Sequence, residues 1–497
     1  MAENQTADAV EPGFESIDQY EALLKRDFNP KSDKAETEVN KAVRTLAARA
    51  LEKADVVPEQ VVNTIKDLIR EIDGKLSEQV NEILHNSEFQ QLEGAWRGLK
   101  FLCERTETGA DLKIKVMNIS KKELYSELQK YPGTDWDQSP LFQQIYERAY
   151  GTLGGEPVSC IVGDYHFDHT GTDVDVLADM AKVAAAAHAP FIAGASHTLF
   201  DLDSWADLPN KKELATLMTT PPYMEWRGLR EKEDSRYIGL ACPRFLARRA
   251  YGPNNPVDEF DFVEETGGAD ASKFCWANSA YAMATNITRA YKSYGWCAKI
   301  RGVESGGAIS DLPTHTFKTE KGTWADQCPT EISITDRREK EMADLGLMPL
   351  QYQLNSNLAA FIGAQSLHNP PKYDDSEKGR EATKNAALGA RLPYMFACSR
   401  FAHFLKHMVR NKIGSHMERD DMQRWLGGWI QNYVNNDASA DETKKARRPL
   451  AGASVEVGED PENPGQYDAK FFLRPHYQLE GVNVSLRLVS KLPSDAQ

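Results

Sequence analysis

From residue 58 to 84 apolar side chains return at every third or fourth position: Val61, Ile65, Leu68, Ile72, Leu76, Val80 and Ile83. That step predicts one long helix with a narrow apolar seam, and Pro58 suits its first turn. Glu59, Lys66, Asp67, Arg70, Glu71 and Lys75 occupy the other faces, so the helix is expected to lie against one or two others and stay wet elsewhere. Its partner is either the segment 35–54 or another chain. A second helix follows in "SEFQQLEGAWRGLKFL" (87–102). Ser87 is expected to cap it, with Gln90 completing a capping box. Phe89, Leu92, Trp96, Leu99 and Leu102 form a stripe expected to face a core. Gly94 and Gly98 are four apart and share a face. Each costs about 0.5–1 kcal/mol relative to alanine in a helix, which implies another backbone packed very close.

Between about 110 and 370 the period changes repeatedly. Strand-like runs such as "LKIKVMNIS", "PVSCIVGDYHF", "RYIGLACPRF" and "TEISIT" alternate with helical ones such as "DVDVLADMAKVAAAAH" and "DRREKEMADLG", the pattern of helices covering a sheet. A helix from Ser272 to Tyr294 is apolar on most sides and is expected to be buried. After the hydrophilic break 369–383, helices are expected near 393–412 and 419–435. Two linker-like stretches, 437–449 and 458–466, precede a predicted β-hairpin from Phe471 to Leu492. Phe471 and Leu473 lie in its first strand; Val482, Val484, Leu486 and Leu488 alternate with polar residues in its second. Pro475 suits an edge strand. A lone hairpin is marginal, so neighbouring subunits are expected to supply further strands.

The first 35 residues are polar apart from "FESIDQYEALLKRDF", where Phe14, Ile17, Tyr20, Leu24 and Phe28 sit at helical spacing between Pro12-Gly13 and Asn29-Pro30. Such an isolated amphipathic helix either folds back on its own domain or suits the groove of another protein. The fold class is therefore α/β, mixed with α+β features, and multidomain: a tail (1–57), a helical partner-binding segment (58–105), a central α/β domain (106–370) and a carboxyl-terminal domain (371–497).

Composition narrows the function. A chain of 497 residues, 41% hydrophobic and 27% charged, with mean hydropathy −0.55, holds no apolar run long enough to span a membrane. The amino terminus lacks the pattern of a secretory signal, so a cytoplasmic protein is expected. A net charge of −15 opposes binding to nucleic acid or anionic lipid and favours protein partners. The seven cysteines lie far apart without a C-x-x-C pair, which fits buried thiols better than a zinc ribbon or a disulfide framework.

Candidate chemistry is sparse. In "GDYHFDH", Asp164, His166, Asp168 and His169 fall at a strand end, and a period of two would put Asp164, His166 and Asp168 on one side. A metal-dependent enzyme using Asp164, His166 and His169 is the competing reading. His403 and His407 are four apart on a helix but lack the H-E-x-x-H glutamate; with Arg400 and Arg410 they read as a solvated or partner-facing basic edge. No Walker A, G-x-G-x-x-G or G-x-S-x-G motif occurs, and the Gly306-Gly307 pair reads as a turn. No catalytic, cofactor or metal residue is assigned, and an enzyme is not expected.

Seven longer stretches, in order, resemble one family: "NSEFQQLEGAWRGLKFL", "IVGDYHF", "RYIGLACPRFLARRAYG", "GWCAKIRGVESGGAISDLPTH", "PTEISITDRREKEMADLGLMPL", "LPYMFACSRFAHFLKHMVRNKIGS" and "LRPHYQLEGVNVSLRLVSKL". The family is the large subunit of the type VI secretion contractile sheath, and the resemblance runs from about residue 60 to the end. It implies a structural protein that pairs with a small sheath subunit. The heterodimers would polymerise around an inner tube of hexamer rings on a baseplate, and contract to drive tube and spike outward. The seam from Val61 to Ile83 is similar to the family's small-subunit helix. The terminal strands would join those of neighbouring subunits. Phe14, Ile17, Tyr20 and Leu24 would belong to a helix gripped by an AAA+ unfoldase. A phage-type tail sheath would share the mechanism without the small subunit.

Overall fold

The computed structural model describes residues 41, 45, 58–253, 255–258, 260–266, 271–318, 324–437, 439–459 and 467–478. The chain divides into two units, residues 1–90 with 249–274 and residues 91–248 with 275–497.

In the first unit the long seam folds as helix α1 (Pro58–Leu84); after two intervening residues α2 (Ser87–Glu104) begins there and runs on into the second unit. Asn86, not Ser87, caps α2: its Oδ1 accepts from the backbone N–H of Glu88 at 3.0 Å and of Phe89 at 3.3 Å. Gln90 is drawn away from a capping box because its side chain donates to the Ser272 carbonyl at 3.0 Å. Around the end of α1, Asn81 accepts from the Glu265 N–H at 3.0 Å and the buried Glu264 accepts from the Tyr251 N–H at 2.9 Å.

The second unit is built on a six-stranded sheet. Its strands are β1 (Ile161–Phe167), β2 (Phe191–Ala195), β3 (Ile238–Cys242), β4 (Ala308–Ile309), β5 (Leu347–Tyr352) and β6 (Ala359–Phe361), in the spatial order β1-β2-β3-β5-β6-β4. The first four in that order are parallel, and β6 is antiparallel to both neighbours. Parallel strands need helices on both faces, which is why β2 and β3 are buried throughout. Phe191, Ala193, Leu240 and Leu347 pack on one face with α4 (Gly171–Ala187), α5 (Met224–Glu231) and α7 (Asp336–Asp344); a short α3 (Lys121–Leu128) adds Leu124 and Leu128. Ile192, Ala241, Met348 and Leu350 turn to the other face, against α6 (Ser279–Tyr294).

Several elements differ from expectation. α6 starts at Ser279 rather than Ser272, because Trp276–Ala277 pairs with Phe245–Leu246 and Asn278 then caps the helix. "LKIKVMNIS" has strand-like residues but joins no ladder among the described residues. "TEISIT" contributes only a bridge from Thr330 to Phe245.

Beyond the sheet come α8 (Glu377–Gly389), α9 (Leu392–Lys412), α10 (Arg419–Gln431) and α11 (Glu442–Arg447), then strands β7 (Leu450–Glu459) and β8 (Tyr467–Pro475). Phe401, Leu405, Leu426, Ile430, Val455 and Val457 form the core under this ribbon. β8 therefore pairs with a strand upstream of it. The sequence "LAGASVEVGE" is small and glycine-bearing between two charged stretches, so its inward positions, Ala453, Val455 and Val457, give only a weak strand signal.

Candidate functional site

Three surfaces carry the residues singled out above. On α1, Ile72, Leu76 and Ile83 are 41%, 42% and 56% exposed, Ile69 joins them, and Val80 is half-buried. The backbone of Val61, Ile65 and Leu68 belongs to α1, but their side chains lie outside the described residues. This seam is apolar surface that the described chain leaves largely uncovered.

α2 reverses the expected orientation. Leu92 and Trp96 are 57% and 66% exposed, Phe89 is exposed too, and only Leu99 and Leu102 turn inward. The face that enters the body is Gly94, Gly98 and Leu102. A Cβ on Gly94 would collide with the Trp276 carbonyl oxygen, and one on Gly98 with the Tyr281 ring. Glu93, beside them, accepts from Arg97 and Arg248, each at 2.7 Å. Burial pushes its carboxyl up, but the two guanidiniums, Arg248 foremost, hold it below the usual range.

Tyr281 connects this joint to the strand-end cluster. Asp164 is raised by burial, and hydrogen bonds from Asn278 and Tyr281 offset part of that rise. The pairing register of β1 shifts between Val162 and His166, and the side chains of the cluster take separate partners. Burial, then the nearby charges of Arg244 and Lys121, pushes His166 down to about 3 and keeps it neutral. Asp168 accepts from the Thr170 N–H at 2.8 Å and from Thr198 Oγ1 at 2.9 Å. His169 stacks on Tyr223 at 4.2 Å. Among the described residues no group of three His, Cys, Asp or Glu could hold a metal ion.

The expected basic edge on α9 is also corrected. His403 is 2% exposed, its Nε2 lies 2.8 Å from the Ala187 carbonyl, and burial pushes it down to about 4. Arg410 donates to the carbonyls of Tyr150 and Thr152 at 2.9 and 3.0 Å. These groups bind α9 to the body of its own unit.

The third surface is the β7–β8 ribbon. Phe471 pairs opposite Val455 and Leu473 opposite Ala453, both turned to the α10 side, while Ser454, Glu456, Lys470, Phe472 and Arg474 face outward. Among the described residues the ribbon has two strands only; the outer edge of β7 is taken up by a bridge from Val434 to Leu450, by Gln431, which donates to the Ala453 carbonyl, and by Gln423, which accepts from the Val457 N–H, so the edge left without a strand is that of β8. Val482, Val484, Leu486 and Leu488, like Phe14, Ile17, Tyr20 and Leu24, lie outside the described residues. No described helix is long and apolar enough to cross a membrane.

Two family models match the chain: VipB (EvpB, tail sheath N-terminal domain) over residues 66–368, and a second VipB model (tail sheath gpW/gp25-like domain) over residues 381–492. A relative from Pseudomonas aeruginosa, the type VI secretion system sheath protein TssC1, is 57% identical over 482 residues, which is 97% of this chain and 96% of the relative. Among solved structures, the baseplate of the anti-feeding prophage is similar at 10% identity and a TM-score of 0.36, over 64% of this chain and 66% of that one. The contracted helical sheath of the same particle is similar at 9% identity and a TM-score of 0.32, over 64% and 68%.

Proposed function

The chain belongs to the VipB family of tail sheath proteins and is a type VI secretion sheath protein, and from that premise we propose how it assembles. As the large subunit it pairs with the small sheath subunit along α1, through Ile72, Leu76, Val80 and Ile83 and the preceding Val61, Ile65 and Leu68. Heterodimers then join by strand exchange at the carboxyl end. The observation that carries this reading is the ribbon: among the described residues β8 pairs with β7 on one side only, and the alternating segment 482–488 lies a short way downstream. Edges of this kind accept added strands through main-chain hydrogen bonds.

Head-to-tail contacts that do not close generate helical filaments. Such a polymer encloses the inner tube and rests on the baseplate. Contraction follows when a second lattice lies lower in free energy, each subunit adding a modest gain. The work comes from the lattice, so the chain acts without catalysis and without a cofactor. It works in the bacterial cytoplasm, where other proteins anchor the sheath to the envelope. The tail helix with Phe14, Ile17, Tyr20 and Leu24 serves an unfoldase that recycles contracted sheaths, and Gly94 with Gly98 seats α2 for the partner-binding helix.

Co-expression with the small subunit, followed by electron microscopy, tests the reading. The full chain is expected to form hollow ridged tubes; discrete particles with that subunit would reject it. Ile72→Asp with Leu76→Asp is expected to lose the small subunit on co-purification while leaving this chain folded, since both side chains are exposed.

A further inference from the structure

The ribbon does not run freely into the segment that follows it. Gln478, three residues past Pro475, is stapled to the body of the second unit. Its side-chain oxygen accepts from Arg301 Nε at 2.6 Å, its side-chain amide donates to the Ala298 carbonyl at 2.8 Å, and its backbone N–H donates to Tyr394 Oη at 3.1 Å. Both ends of the carboxamide are engaged. Arg301 and Tyr394 are buried, and the bond from the guanidinium is charge-assisted, the stronger kind. Ala298 lies just beyond α6 and Tyr394 in the first turn of α9, so the staple reaches elements that pack on the central sheet. Behind it, the His476 N–H donates to the Pro449 carbonyl at 3.0 Å.

Val482, where the alternating segment begins, lies four positions beyond Gln478. At about 3.4 Å per residue that interval spans at most ~14 Å. Without the staple the free chain would start at His476 and span ~20 Å. A longer tether lowers the effective concentration of the strand at a neighbour's edge and loosens the link between subunit displacement and strand tension. Resting on the strand-exchange reading above, we infer that Gln478 is a positioning residue. It fixes the point from which the exchanged strand departs, so that the strand reaches an adjacent subunit under a short, taut link.

Four variants of the full chain, each co-expressed with the small sheath subunit, test this: a stop after Gln478, Gln478→Ala, Gln478→Glu, and two glycines inserted between Glu480 and Gly481 with the staple intact. Heterodimer yield is read by co-purification and polymer by sedimentation and electron microscopy. The stop is expected to abolish polymer. Gln478→Ala and the insertion are each expected to keep the wild-type heterodimer yield while losing sedimenting sheath several-fold. Gln478→Glu, which keeps an acceptor for Arg301, should fall between Gln478→Ala and wild type. Wild-type sheath from both Gln478→Ala and the insertion, with none from the stop, would overturn the positioning role and leave strand exchange standing. Sheath from the stop variant would overturn strand exchange itself. Loss of heterodimer in Gln478→Ala with a wild-type insertion would make Gln478 a folding residue and overturn the assignment.

Discussion

α2 and α10 each carry a pair of glycines in a helix interior, and the two pairs have opposite surroundings. Gly94 and Gly98 are buried, and a Cβ at either would meet the Trp276 carbonyl or the Tyr281 ring. Gly427 and Gly428 have nothing within 4 Å of a would-be Cβ. The helix cost is the same in both places, about 0.5–1 kcal/mol per glycine. Only the first pair is offset within the unit, by a sealed joint that continues through Tyr281 to Asp164. A glycine in a helix therefore does not by itself identify a packed face; what stands opposite it does.

That contrast is sharpest at Gly94. Gly94→Leu drives a branched side chain into backbone and is expected to cost about 3 kcal/mol or more, abolishing the soluble heterodimer; unchanged assembly would break the comparison.

The buried side has a second mark, its neutral histidines. Burial pushes His403 down to about 4 in the folded chain, from its ordinary 6.5. Between those values the unfolded chain binds a proton that the folded chain does not. Its contribution is thus complete above about pH 6.5 and is lost as pH falls toward 4. From pH 6.5 to 5 the wild type should lose about 1.5 kcal/mol more stability than His403→Gln, read from urea midpoints at the two pH values. An equal loss in both proteins would show that this histidine is not sealed.

The smallest effect belongs to the open pair. Gly427→Ala and Gly428→Ala should each stabilise the isolated chain by about 0.4–1 kcal/mol, measured by the same midpoints. Destabilisation of the isolated chain would mean that this face is covered within it.

Much of the fold was legible because it rests on periodicity. The α1 seam, the buried α6 and the helices at 392–412 and 419–431 are long, regular patterns. The missed parts lack such a signal. β7 is built of small residues and bears glycines; Asn86 competes with Ser87 for one cap; and the strand-like 112–120 finds no ladder among the described residues. The strand-end cluster, kept only as a competing reading, has its side chains on separate partners: Asp164 on Asn278 and Tyr281, Asp168 on Thr170 and Thr198, His169 on Tyr223.

The sequence by itself determined the repertoire: which segments are helices or strands, the absence of an assembled catalytic motif, and the ordered stretches that mark a sheath protein. Tertiary structure decided orientation. α2 presents an apolar stripe and a glycine face, and each satisfies its own helix equally well. The glycine face went inward because Trp276 and Tyr281 come too close for any side chain, which left Leu92 and Trp96 outside. Periodicity reports that a face exists; only the shape of what lies opposite selects which face is buried.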